Sequence, residues 1–223
     1  MTVNDGVAQV LTRLAESLDS PIAELPTGDG PADAPEISSA NQIIFFLDEG
    51  QKLLARTPIL EIRGGATISG VSIGEYRWTH NEATTDPVDR VLWRAESAAW
   101  TPTGGTPYPL EINDGRFFPI HHPNPLTEAR ARPRRIYDTG LNLLIGPRPN
   151  VAGAIALTGL LLPKTLVAGG DFDDVPEEKI HHVVSFACWR VCQRNVVEPA
   201  YAAALPLWQN EISWAAPFLG LGA

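Results

Sequence analysis

The 223-residue sequence predicts an α+β protein. Helices from the two ends of the chain are expected to form a bundle, and the middle an inserted antiparallel β-sheet or partial barrel. Three observations carry that expectation. Apolar residues recur at helical spacing in two separated stretches, 43–54 and 180–191. Between them, short β-prone runs are broken by clusters of Gly, Pro, Asn and Asp. Gly (19) and Pro (20) are plentiful beside 44% hydrophobic residues, which suits a folded chain rich in turns rather than a purely helical one.

The expected division runs as follows: residues 1–36 form an N-terminal helix and an acidic, Pro/Gly-rich linker, 37–58 and 172–204 the helical bundle, 59–171 the β-rich insert, and 205–223 an apolar C-terminal tail. Val7, Val10, Leu11 and Leu14 mark a short amphipathic helix, followed by Pro21, Pro26, Pro31 and Pro35 among acids and alanines. Ser38 or Ser39 caps a helix whose apolar face is Ile43, Ile44, Phe46, Leu47, Leu53 and Leu54, with Pro58 beyond its end. Strands are expected over Ala66–Ile73, Glu75–Trp78, Arg90–Ala95, Gly115–Ile120, Leu141–Ile145 and Ala154–Leu162. Asp174 then caps a helix with Pro176, Glu177 and Glu178 in its first turn, where the helix dipole favours acids. Its stripe is Ile180, Val183, Val184, Ala187, Cys188 and Val191, and Pro199 closes it. A further apolar and aromatic segment spans 200–214, and the closing APFLGLGA carries no charge.

Charge is placed unevenly. Within residues 1–49, nine acids stand against one base, Arg13, so most of the net −9 lies there. Such a chain is a poor general nucleic-acid binder, because phosphate neutralisation needs clustered Lys and Arg. Two cysteines are no disulfide framework and suit a reducing compartment. The start of the sequence lacks the pattern of a signal peptide, and no segment approaches the ~20 apolar residues of a membrane span. A soluble protein made in a cytoplasm is expected.

Candidates for chemistry are sparse. His121 and His122 are adjacent, so on a strand they would point to opposite faces and not share an ion, and Pro119, Pro123 and Pro125 around them favour a loop with incidental histidines. Cys188 and Cys192 are helical neighbours, with His181 two turns before Cys188. That separation, about 10.5 Å along the axis, is too long for Zn bonds of about 2.0–2.3 Å, and Cys188 falls in the apolar stripe. No Gly-rich phosphate loop and no G-x-S-x-G elbow occur. No catalytic residue, metal site or cofactor is expected. The strongest polar feature is a comb of arginines, Arg130, Arg132, Arg134 and Arg135, three of which share a face if the stretch is extended. It suits an acidic partner, a phosphate backbone or plain solvent.

The stretch RRIYDTGLNLLIGPRPN (134–150), by contrast, is insistent in pattern but poor in chemistry. Pro133, Tyr137, a turn at Gly140, the aliphatic run 141–145 and the exit Pro147-x-Pro149 lead to an aliphatic strand ending at Leu162-Pro163. A loop through Asp171 follows, then the acid-Val-Pro helix start at Asp174. With the upstream helix bearing Leu47-Asp48, this order resembles the head-to-tail adaptor (connector) proteins of tailed bacteriophages, over residues 37–203.

The resemblance implies a non-enzymatic virion protein at the head–tail junction, assembled in the host bacterial cytoplasm. Copies of it would form a ring, usually dodecameric, beneath the portal, bind tail nozzle or tube proteins, and let DNA pass without specific binding. It implies a portal contact through the C-terminal tail, here Leu205, Leu207, Trp208, Ile212, Trp214, Phe218 and Leu219. Ring contacts are assigned to the arginine comb and to Asp171, Asp173 and Asp174, and Pro133, Tyr137, Gly140, Pro147 and Pro149 shape the fold. The acidic N-terminal extension lies outside the family pattern. Two other readings are a small metal-dependent enzyme using His121, His122, His181 or Cys188, and a tail-side structural protein such as a tail terminator.

Overall fold

The computed structural model describes residues 1–18, 39–86, 88–197 and 199–220. The acidic linker expected over 19–36, and the cap at Ser38, lie outside the described residues. The protein is α+β, with six helices among the described residues and one eight-stranded sheet that curls as half a barrel. The chain divides into two compact units, 1–60 with 163–223, and 61–162.

The first unit is helical. Its helices are α1 (Val3–Leu18), α2 (Ser39–Leu54), α4 (Glu177–Arg194), α5 (Pro199–Glu211) and the short α6 (Ala216–Leu219). Thr2 and Asp5 cap α1 reciprocally, each backbone N–H donating to the other's side chain at 3.0 and 3.1 Å. α4 packs against α1, α2 and α5. Its central stretch is buried on every side, from Val183 to Trp189, and Ile180, Val191 and Cys192 are buried as well. Val3, Val10 and Leu14 of α1, and Ile43, Leu47 and Leu54 of α2, are fully or almost fully buried. The N-terminal helix is thus part of this core rather than a separate extension.

Residues 163–171, expected in the insert, belong to the helical unit, held by Asp48 and Gln51 of α2. Asp48 Oδ1 accepts from Leu166 N at 2.9 Å, and the buried Gln51 amide donates to Lys164 O at 2.7 Å. Asp174 does not cap α4. Its carboxylate accepts from Lys164 N at 2.8 Å, and Pro176 stands at the cap position. Pro199 opens α5 instead of closing α4, because a proline tolerated in a first helical turn reads in sequence like a terminator.

The second unit carries β1 (Arg63–Val71), β2 (Arg77–Thr79), β3 (Thr84–Asp86), β4 (Val91–Pro102), β5 (Tyr108–Asp114), β6 (Arg135–Asp138), β7 (Asn142–Gly146) and β8 (Gly153–Leu162). The strand order is β2-β7-β6-β5-β4-β8-β1-β3. All pairs are antiparallel except β5 and β6, which run parallel with Glu111 opposite Arg135 and Asp114 opposite Asp138. A parallel pair needs a crossover connection, here residues 115–134. The core gathers Leu92, Trp100, Ile136, Leu143, Ile145, Ile155 and Leu161.

Gly115–Ile120, expected as a strand, is instead a 3₁₀ turn (Gly115–Phe117) running into the one-turn helix α3 (Phe118–His121). Asp114 caps the turn by accepting from Arg116 N at 2.9 Å, and Pro119 sits in the first turn of α3.

Candidate functional surfaces

The 134–150 motif builds a scaffold. Gly140 has φ +79°, a left-handed conformation that favours glycine, and its N–H donates to Asp138 Oδ1 at 2.8 Å to close the β6–β7 turn. Past the cis Gly146–Pro147 peptide, the chain leaving β7 holds the comb's backbone through an isolated bridge between Ala131 and Pro149. Ala131 N donates to Arg148 O at 2.9 Å, Asn150 N to Ala131 O at 3.1 Å, and Arg134 N to Gly146 O at 3.1 Å. Pro133 and Pro149 are buried and Pro147 is partly buried.

The comb residues therefore share a fixed backbone but not one environment. Arg135 is paired to Glu111 at 2.7 Å, and that partner draws the Glu111 carboxyl below its ordinary pKa. Arg132 stacks over the Tyr108 ring at 3.7 Å. Arg130 lies across Gly74, where a Cβ would come within 2.9 Å of its Nε. Arg134 is exposed and has no side-chain partner among the described residues.

Tyr137 is fully buried, and both histidines of the 121–122 pair reach its hydroxyl, His121 Nδ1 at 2.9 Å and His122 Nε2 at 3.3 Å. The two are not incidental loop histidines pointing apart, because they close a helical turn that brings both rings to one side. Glu128 Oε2 sits 2.7 Å from His122 Nδ1. With His122 Nδ1–H donating to Glu128, Nε2 accepts the Tyr137 proton, and His121 Nδ1–H completes the chain. Burial pushes the Tyr137 phenol above its ordinary pKa, against a smaller opposing pull from Arg135. A neutral, buried phenol is a structural tie rather than a nucleophile. Gly146 makes room for the His122 ring, which a Cβ at that position would overlap.

A second network joins His80 and Asp138. His80 Nε2 lies 3.1 Å from Asp138 Oδ1, and Asp138 Oδ2 accepts from Ala95 N at 3.0 Å. Burial works to raise the Asp138 pKa. The hydrogen bonds from His80, Ala95 and Gly140 outweigh it and hold the carboxyl below its usual value. Beside this pair opens a cleft of about 440 Å³ lined by Trp93, Arg94, Asn113, Asp114 and Asp138. Nothing in the sequence pattern joins these residues, since they come from three separate strands.

In the helical unit, the expected portal-binding set splits in two. Trp208 and Ile212 are buried, at 5% and 0% exposure, and belong to the fold. Leu205, Trp214 and Leu219 are partly buried, whereas Leu207 and Phe218 stand half exposed. The segment is thus no free tail, because α5 continues the helical packing through Tyr201, Ala204 and Trp208. Leu207 and Trp208 line a groove of about 420 Å³ with Arg13, Glu16 and Glu211. Asp171 and Asp173 are exposed, and Thr2 bridges to Asp171.

The His181 and His182 rings lie 3.9 Å apart, tilted by 40°, and His182 meets Trp214 edge to face at 6.0 Å. Burial, followed by His181 and Lys179, depresses the His182 pKa, while Glu211 works the other way. Cys188 and Cys192 are buried thiols. Burial raises both, Cys192 to about 11, so neither is poised as a thiolate. Among the described residues, no three His, Cys, Asp or Glu side chains gather as a metal site, and no helix is long and apolar enough to cross a membrane.

No protein-family model and no curated protein matches this chain.

Proposed function

We propose that this protein is a structural virion component, a head-to-tail adaptor that forms a ring beneath the portal and connects it to the tail. The observation that supports this reading best is the order of elements. Helices from both ends of the chain make one unit, 1–60 with 163–223, and the β unit 61–162 is inserted between them. The Pro133–Tyr137–Gly140–Pro147-x-Pro149 grammar stands within that insert as a backbone scaffold. In this reading the helices form a bundle, and the acidic balance lets DNA pass without gripping it. The portal contact narrows to the exposed Leu207 and Phe218, since Trp208 and Ile212 are occupied within the fold.

The test is to mix the protein with the portal ring of the same genome and image the complex by electron microscopy. Phe218→Glu is the informative variant, because Phe218 is exposed and lies outside the groove lined by Leu207. Truncation after Ala204 would also remove buried Trp208 and Ile212. A ring capping the portal, lost in this variant, supports the adaptor role. No binding by the unaltered protein overturns it and favours a tail-side role such as a tail terminator.

A second reading, a small metal-dependent enzyme, draws on the convergence of His121 and His122 at Tyr137. Stoichiometric zinc or iron in the purified protein would support it, and a metal-free sample with unchanged fold would remove it.

A further inference from the structure

The chain segregates charge in a way that makes its surface complementary to itself. Residues 130–135 carry four arginines and no acid. Exposed Arg134 has no side-chain partner among the described residues, and its backbone is pinned to Gly146 O at 3.1 Å. The groove between α1 and α5 offers the opposite chemistry. Glu16 and Glu211 line it with no Lys or Arg ion pair among the described residues, over an apolar wall of half-exposed Leu207 and the buried Trp208. From Pro199 to Gly220 the helical unit carries Glu211 and no base at all among the described residues. The groove's own cation, Arg13, is turned to Ser185, to whose hydroxyl it donates at 3.2 Å.

We infer that this groove receives Arg134 of a second copy of the chain, with the guanidinium between Glu16 and Glu211 and its methylenes on Leu207 and Trp208. An arginine suits such a site because its stem covers apolar surface while its planar head takes two carboxylates. The contact joins two different surfaces, so it is heterologous. Repeated with a closing rotation, it generates rings, and without one, filaments. It stands on charge and shape alone and does not require a portal.

Arg134→Cys and Glu211→Cys, each in the otherwise unaltered full-length protein and one of them tagged, are mixed under mild oxidation. Both positions are exposed, so the fold is retained, and native Cys188 and Cys192 are buried and do not compete. A mixed disulfide is expected between these two variants and not between Arg134→Cys and Ala203→Cys, an exposed control on the same helix. A charge exchange provides the second arm. Glu211→Arg should lose self-association measured by sedimentation, and mixing it with Arg134→Glu should restore association. Equal cross-linking to the control, or no rescue by the exchanged pair, overturns the inference. Neither outcome depends on portal binding, so failure here and failure of the adaptor reading are distinguishable.

Discussion

Among the described residues, the helical unit buries only Gln51, Thr57 and Ser185 as polar side chains, and none of them ionises. The sheet unit buries His80 and His122, each facing a carboxylate, together with Thr85. The difference follows from geometry. A helix satisfies its own backbone, so its neighbours can meet through apolar stripes alone. Strand ends, bulges and crossovers leave backbone N–H groups that side chains must satisfy. Asp138 does this for Ala95 and Gly140 at once. Damage to the helical unit should therefore act through lost volume, and damage to the sheet unit through stranded hydrogen bonds.

The largest expected effect tests whether the C-terminal segment belongs to the helical core. Trp208→Ala should cost about 3–5 kcal/mol, the range for removing a buried large aromatic side chain. Urea unfolding followed by far-UV circular dichroism reads it. An unchanged midpoint would return this segment to the status of a free anchor. Leu207→Glu, half exposed on the same helix, should leave the midpoint almost unmoved.

Asp138→Ala comes next, at about 2–4 kcal/mol, because it strands two backbone donors and the buried His80 ring. Since the folded-state pKa is depressed, the stability Asp138 contributes is present above the unfolded value and lost as pH falls through the folded one. The gap between wild type and variant should accordingly narrow in acid. A gap that is constant with pH would show that Asp138 acts only by filling space.

Tyr137→Phe should cost less, about 1–2 kcal/mol. It keeps the ring among Phe118 and the two histidines and removes only the hydroxyl. Amide exchange should quicken around α3 and not in β8. A global change of the same size in both places would mean that the hydroxyl supports the whole sheet.

The same contrast explains what was legible in the sequence. The stripes of α1, α2 and α4 could be read because a helix repeats every 3.6 residues and its buried face is local. Strands β1, β4, β7 and β8 also announced themselves as β-prone runs. β5 and β6 did not, and their parallel pairing depends on a crossover that periodicity does not encode. At 115–120 a β-prone run coincides with a capping aspartate, Asp114, and a first-turn proline, Pro119, and those local signals prevail in the structure. The convergence of His121 and His122 needed the dihedral angles of a helix end. Glu16, Glu211 and Leu207 meet only because α1 and α5, nearly two hundred residues apart, are neighbours.

The smallest effect concerns a titrating group in the packing of the helical unit, His182. His182 lies between His181 at 3.9 Å and Trp214 at 6.0 Å, with Lys179 on its own helix and Glu211 facing it from α5. Its folded-state pKa is depressed, so the unfolded chain binds the proton more readily, and stability rises with pH across that interval. The contribution is complete above the unfolded value of about 6.5 and is lost as pH falls from there to the folded value. His182→Gln should flatten this part of the stability profile while leaving the acid response of Asp138 in place. NMR titration of the His182 ring gives the folded value directly. A midpoint at or above about 6.5 would mean that Glu211 and the Trp214 ring outweigh burial, reversing the slope and making the C-terminal segment tighter in acid.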